Sequence, residues 1–172
     1  MLSAIRVNRM GSTGTKIVKM NVTELIEMLN KALADEWLAY YQYWVGSKIV
    51  KGPMRPDVQK ELIEHANDEL KHADMLAERI IQLGGQPLLS PDEIKKASAC
   101  GYAAPSDPHV LKILKQNIQG ERCAIAIYHQ ILEKVKLGND PITFHMIRKI
   151  LEDEVEHEED LESLAEDIAL IK

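Results

Sequence analysis

The sequence predicts an all-α protein: a four-helix bundle with a long crossover between its second and third helices. Three features carry this. Apolar residues recur at alternating three- and four-residue steps in four long segments. The segments are separated by two tight stops and one connection of roughly 23 residues. No segment shows the alternation of a half-buried strand.

Each element has its own punctuation. Asn21, followed three residues on by Glu24, is a capping box that opens the first helix, which must end before Gly52-Pro53. The second runs from about Pro56 to the Gly84-Gly85 stop, giving a helical hairpin. Ser90-Pro91-Asp92-Glu93 is another capping box and predicts a short extra helix within the crossover. Asp107-Pro108 and Asp140-Pro141 each place a capping residue before a proline, opening the third and fourth helices, with Gly138 ending the third. The bundle domain is thus residues 21–172. Residues 1–20 carry Arg6, Arg9, Lys16 and Lys19 without an acid, around Gly11-Ser12-Thr13-Gly14, and read as a flexible basic arm.

Composition narrows the function. With 45% hydrophobic and 28% charged residues among 172, the chain is a folded globular domain rather than a disordered or fibrous one. A net charge of −6 argues against duplex DNA binding by its body. No run of eighteen apolar residues spans a membrane and no secretory signal is visible, so a cytoplasmic location is expected. The only cysteines, Cys100 and Cys123, cannot make a four-cysteine zinc or iron site.

Every apolar stripe holds a misfit. The first helix offers Leu25, Leu29, Ala32, Glu36, Ala39 and Tyr43; the second Leu62, Ala66, Glu69, Ala73, Leu76, Ile80 and Leu83. The third gives Leu111, Leu114, Ile118, Glu121, Ile125, Tyr128, Leu132 and Val135. The fourth gives Phe144, Ile147, Leu151, Glu154, Glu158, Leu161, Ala165 and Ile168. An ionised carboxylate buried without a partner costs several kcal/mol, so one would suggest a misphased helix; four in four helices do not. Glu36 and Glu69 each lie about 13 residues, roughly 20 Å, from their shared hairpin turn and meet at one level. Glu121 and Glu154 are likewise near mid-helix.

Glu69 is followed three residues on by His72, and Glu154 by His157, so each pair shares a helix face and can hold a metal ion. A shift of 85 residues maps Glu36 to Glu121, Tyr43 to Tyr128, Asp68 to Asp153, Glu69 to Glu154 and His72 to His157. Four carboxylates and two neutral imidazoles balance two divalent cations. Oxygen-rich ligation with one nitrogen per metal suits iron, with manganese possible, better than zinc. The metal ligands read from the chain are therefore Glu36, Glu69, His72, Glu121, Glu154 and His157, while Asp68 and Asp153 either orient the imidazole of the opposite pair or simply face solvent.

The segment Asp68-Glu69-Leu70-Lys71-His72-Ala73-Asp74, with Glu36, Glu121, Glu154 and His157 at matching spacings, resembles bacterioferritin over most of residues 21–170. The resemblance implies a ferritin-like bundle and a ferroxidase. In it Glu69 and Glu154 bridge two Fe ions per subunit, Glu36 and Glu121 are terminal ligands, His72 and His157 ligate one iron each, and Tyr43 is the site-adjacent tyrosine. Leu70 stands where bacterioferritins carry their haem-ligating methionine, so no haem is expected. Only 15 residues follow His157, so no fifth C-terminal helix is expected either. The lengthened crossover is similar to that of the Dps mini-ferritins, which implies a shell of twelve subunits. Cys100 and Cys123 resemble the cysteine pair of the Dps-like thioferritins, which implies a disulfide beside the metal site. The function implied is Fe(II) oxidation by hydrogen peroxide or dioxygen, ferric mineral storage and protection against oxidative stress.

Two other readings compete: a manganese catalase or rubrerythrin-like peroxidase without storage, and a DNA-protecting shell. Four positive charges on the arm make only a weak, salt-sensitive DNA contact, and a disordered arm that leaves DNA alone is favoured. The ten acids between Glu152 and Asp167 suit an ion-lined surface or a plain solvated face. His65, His109, His129 and His145 have no ligand spacing and receive no role. Trp37 and Trp44 are read as subunit-contact or bundle-flank residues.

Overall fold

The structure is a computed structural model that describes residue 11 and residues 13–171. Five helices follow one another: α1 (Val22–Ile49), α2 (Arg55–Gln82), the short α3 (Pro91–Ala97), α4 (Val110–Asn139) and α5 (Pro141–Leu170). The four long ones form the bundle, α1 packing chiefly on α2 and α4 on α5, and α3 lies in the crossover against α1. Among the described residues no helix is long and apolar enough to cross a membrane.

Local chemistry explains the boundaries. Asn21 Oδ1 accepts from the Thr23 and Glu24 amides, and Ser90 Oγ from that of Glu93, so both residues cap their helices, while the Glu93 carboxylate accepts from the Leu89 amide in place of that of Ser90. Gly84, at φ +82°, and Gly85 return their amides to the carbonyls of Ile81 and Ile80 and close α2 with a Schellman turn. Two boundaries differ from expectation. α4 starts at Val110 with His109 as its cap, two residues beyond the predicted Pro108, because the Pro108 carbonyl accepts from Lys51 and the Val110 amide donates back to Lys51. That pairing holds Pro108-His109 extended. The second break falls at Lys136 (φ +47°), and Gly138 does not take a positive φ.

Residues 1–10 and 12 of the basic stretch lie outside the described residues. Residues 14–17 form a 3-10 turn, and Val18 and Met20 pack against the bundle core.

That core is split in two. Leu25, Leu29, Leu76, Ile80, Ile131 and Ile147 fill one end, and Val58, Leu62, Ile113, Leu114, Leu161 and Ile168 fill the other. Between them lies a buried polar layer containing Glu36, Glu69, Glu121 and Glu154, none more than 3% exposed.

Candidate metal centre

Each long helix lends one glutamate to this layer, and the surrounding apolar stripe fixes its phase. The fourth stripe needs one correction. α5 turns His157 inward, while Glu158 sits on the flank and pairs with Arg122.

The inward atoms form two clusters that share two residues. Glu36, Glu69, His72 and Glu154 make one; Glu69, Glu121, Glu154 and His157 make the other. His72 Nδ1 lies 3.4 Å from Glu36 Oε2, 3.3 Å from Glu69 Oε2 and 3.1 Å from Glu154 Oε1. His157 Nδ1 lies 3.5 Å from Glu69 Oε1, 3.5 Å from Glu154 Oε2 and 4.0 Å from Glu121 Oε2. Glu69 and Glu154 thus present one oxygen to each imidazole, whereas Glu36 and Glu121 each serve one cluster.

Two tyrosines cross the layer. Tyr43 Oη donates to Glu121, and Tyr128 Oη donates to Glu36, each reaching the glutamate of the other half. Tyr128 was legible only as the partner of Tyr43 under the 85-residue shift. Behind the imidazoles, Asp153 Oδ2 stands 3.2 Å from His72 Nε2, within hydrogen-bonding reach, but Asp68 Oδ2 is 3.8 Å from His157 Nε2. The expected orienting contact therefore forms on one side and is loose on the other.

Burial without ions sets the protonation. Desolvation, with the charges of Glu154 and Glu69, raises Glu36 well above the usual carboxylate range, and Glu121 rises for the same reasons. Burial would also raise Glu154, but the imidazoles of His157 and His72 close beside it prevail and hold it at about 2. Burial opposes charge on both imidazoles; the carboxylates around them overcome it, raising His72 strongly and His157 to about 10.

Even so the layer is not satisfied. Glu36 Oε2, Glu69 Oε1, both oxygens of Glu154 and His157 Nδ1 are buried with no hydrogen-bond partner. Buried polar atoms normally have partners, and these five converge on the two cluster centres. The donor set is carboxylate oxygen plus one imidazole nitrogen per cluster, which fits two divalent ions such as iron or manganese.

A second feature adjoins this layer. Cys100 and Cys123 form a disulfide that ties the crossover to α4. Asp35 holds the same loop by accepting from the Ala99 and Cys100 amides, each at 2.9 Å. Cys100 lines a cavity of about 140 Å³ whose walls include Glu36, Tyr43, Glu69, Glu121 and Glu154.

His65, given no role from sequence, is buried beside the layer. Its ring stacks on His157 with centroids 4.0 Å apart, and its Nδ1 is 3.3 Å from Tyr43 Oη. Desolvation and the neighbouring His157 lower its pKa to about 3 and keep it neutral.

Comparison with known proteins identifies the family and the fold. The ferritin-like domain model matches residues 26–171. The chain belongs to the ferritin-like domain family. Within this ferritin-like group it is 34% identical, over 147 residues, to the DNA protection during starvation protein of Pyrococcus furiosus, covering 84% of this chain and 78% of that one. A bacterioferritin of Desulfovibrio desulfuricans is 30% identical over 134 residues, covering 78% and 70%. Among solved structures, the bacterioferritin-related protein of Bacteroides fragilis, a dodecameric thioferritin, superposes with a TM-score of 0.88 at 44% identity, covering 92% of this chain and 98% of that one. The ferritin-like bundle, its Dps-like crossover helix and the likeness to a thioferritin are thus all present.

Proposed function

We propose that this ferritin-like protein is a ferroxidase that oxidises Fe(II) with hydrogen peroxide or dioxygen and stores the ferric product inside a hollow shell of twelve chains. Glu69 and Glu154 would be shared by the two irons, Glu36 and Glu121 would each serve one of them, and His72 and His157 would take one iron each. One observation carries the assignment: Glu69 and Glu154 each aim one oxygen at either imidazole, leaving bare lone pairs around two centres. Supporting the shell is the likeness to a protein that is itself a dodecamer.

Two Fe(II) held side by side supply two electrons together, enough to reduce one peroxide, with two protons, to two waters. The chain's own part is to hold and orient. Tyr43 and Tyr128 fix the rotamers of Glu121 and Glu36, and Asp153 fixes that of His72. The apolar clusters above and below keep bulk water from the layer.

Stopped-flow oxidation tests the reading. The native protein is expected to show a fast phase complete at two Fe(II) per chain, followed by slower uptake of many more. Glu69→Ala and Glu154→Ala should slow the fast phase by more than about 100-fold while helicity is kept, since losing one buried carboxylate relieves repulsion in the metal-free layer. Rapid oxidation retained in both would remove these residues from the centre. A final load of only two ions would remove the storage role.

The disulfide at the cavity wall is proposed as a redox pair. Cys100→Ser should change how the rate responds to thiol reductant without changing particle size. An unchanged response would leave the bond a purely structural tie.

A further inference from the structure

On the α2–α5 face a third set of donors is left unused by the paired clusters. Glu61 and His65 stand one turn apart on α2, and Asp160 approaches from α5; one ligand atom from each lies within 4.8 Å of the other two. His65 is 2% exposed, and its Nε2 has no hydrogen-bond partner. That nitrogen is nevertheless 3.1 Å from Glu61 Oε1 and 3.9 Å from Asp160 Oδ2.

The opposite ring nitrogen decides what Nε2 carries. Because Tyr43 Oη gives its proton to Glu121, it offers His65 Nδ1 only lone pairs. With the ring proton on Nδ1, where Tyr43 Oη can accept it, Nε2 is a bare lone pair aimed at two carboxylates. Such an arrangement is repulsive when nothing stands between the three atoms and attractive around a cation. The spacing suits one. Ligand atoms about 2.1 Å from a small divalent ion stand about 3.0–3.4 Å from each other, which the Glu61 contact already meets. Asp160, whose side chain is 47% exposed, has room to close the remaining distance.

Position adds a second argument. Glu61, His65 and Asp160 line a surface pocket of about 530 Å³ that also touches His72 and His157. Six carboxylates and two lysines line it, so it concentrates cations. The arrangement is one-sided, because the residue related to His65 by the 85-residue shift is Ile150, buried in the apolar core.

We propose that Glu61, His65 and Asp160 form a third cation site, for a divalent ion of the Fe(II) class, standing between the α2–α5 pocket and the paired clusters. As a step on the path of iron it rests on the ferroxidase reading; as a binding site it does not.

Anaerobic titration of the full-length protein with Co(II), followed by anomalous diffraction at the cobalt edge, tests it. Three ions per chain are expected, one of them on His65 Nε2. The double variant E61Q/D160N retains His65 and its packing, so it should fold and bind two. Two ions in both proteins would overturn the third site and leave the pair intact, and three in both would overturn it equally. A cobalt peak on His65 with none between Glu69 and Glu154 would support this site while defeating the ferroxidase reading.

Discussion

Glu36, Glu121, His72 and His157 all bind protons more tightly than their free counterparts, and all four are proposed ligands. Ions that bind there must displace those protons. Anaerobic metal uptake in weakly buffered solution should release protons, and the affinity should fall as the pH is lowered. The same shifts act oppositely on the metal-free fold. A group whose pKa is raised on folding stabilises the fold fully below its unfolded value and ceases to do so as pH climbs through the folded one. For His157 that window runs from 6.5 to about 10, so the melting temperature of the metal-free protein should drop across it. Glu154, held at about 2, works at the other limit, losing its contribution as pH falls toward that value. Calorimetry from pH 5 to pH 10 with and without Co(II) checks this, and a metal-free protein that grows more stable toward pH 10 would contradict it. The six residues that meet in the two clusters were readable from sequence because a glutamate in an apolar stripe violates the burial rule four times over. His65 was not, because its partners Glu61 and Asp160 lie on different helices and its counterpart Ile150 breaks the internal repeat.

Among the elements, the junction between the two hairpins carries an ion pair of its own. Arg79, near the end of α2, donates twice to Asp140, the cap of α5, and once to Thr143, with Asp140 and Thr143 fully buried. Burial alone would raise the Asp140 pKa, but hydrogen bonds from Thr143 and Arg79 outweigh it and lower it. Asp140→Ala removes the cap and takes the carboxylate away from a buried guanidinium that keeps only its neutral partners Thr143 and Gln82, which should cost about 3–5 kcal/mol in urea unfolding. A loss under about 1 kcal/mol would mean that Arg79 finds other partners. Asp140-Pro141 was legible as a helix start, since capping acts within a few residues. The third helix was set two residues too early because the Pro108 carbonyl is engaged by Lys51, a contact that no local pattern records. The break at Lys136 falls on a residue type that rarely takes a positive φ, so the neighbouring Gly138 was the local signal and not the site of the break.

At the scale of the whole molecule, α1 carries an aromatic stripe on the side turned away from the metal layer. Trp37, Tyr41 and Trp44 are 37%, 48% and 43% exposed, spaced one turn apart, and Tyr41 touches Tyr102 in the crossover. Indole and phenol rings left half in water at three successive turns are surface that association covers, and the proposed twelve-chain shell would supply a second copy to cover it. Covering the exposed part of each indole contributes roughly 2 kcal/mol, repeated at every copy of the contact. The native particle should therefore run near twelve times the 19.4 kDa of one chain, and Trp37→Glu with Trp44→Glu should break it into smaller species. Neither tryptophan lines the cavity beside the carboxylates, so helicity and Co(II) binding at the paired clusters should survive dispersal. Light scattering on the double variant decides the matter: a particle of undiminished mass would show that this stripe faces solvent in the shell and that other surfaces hold the copies together.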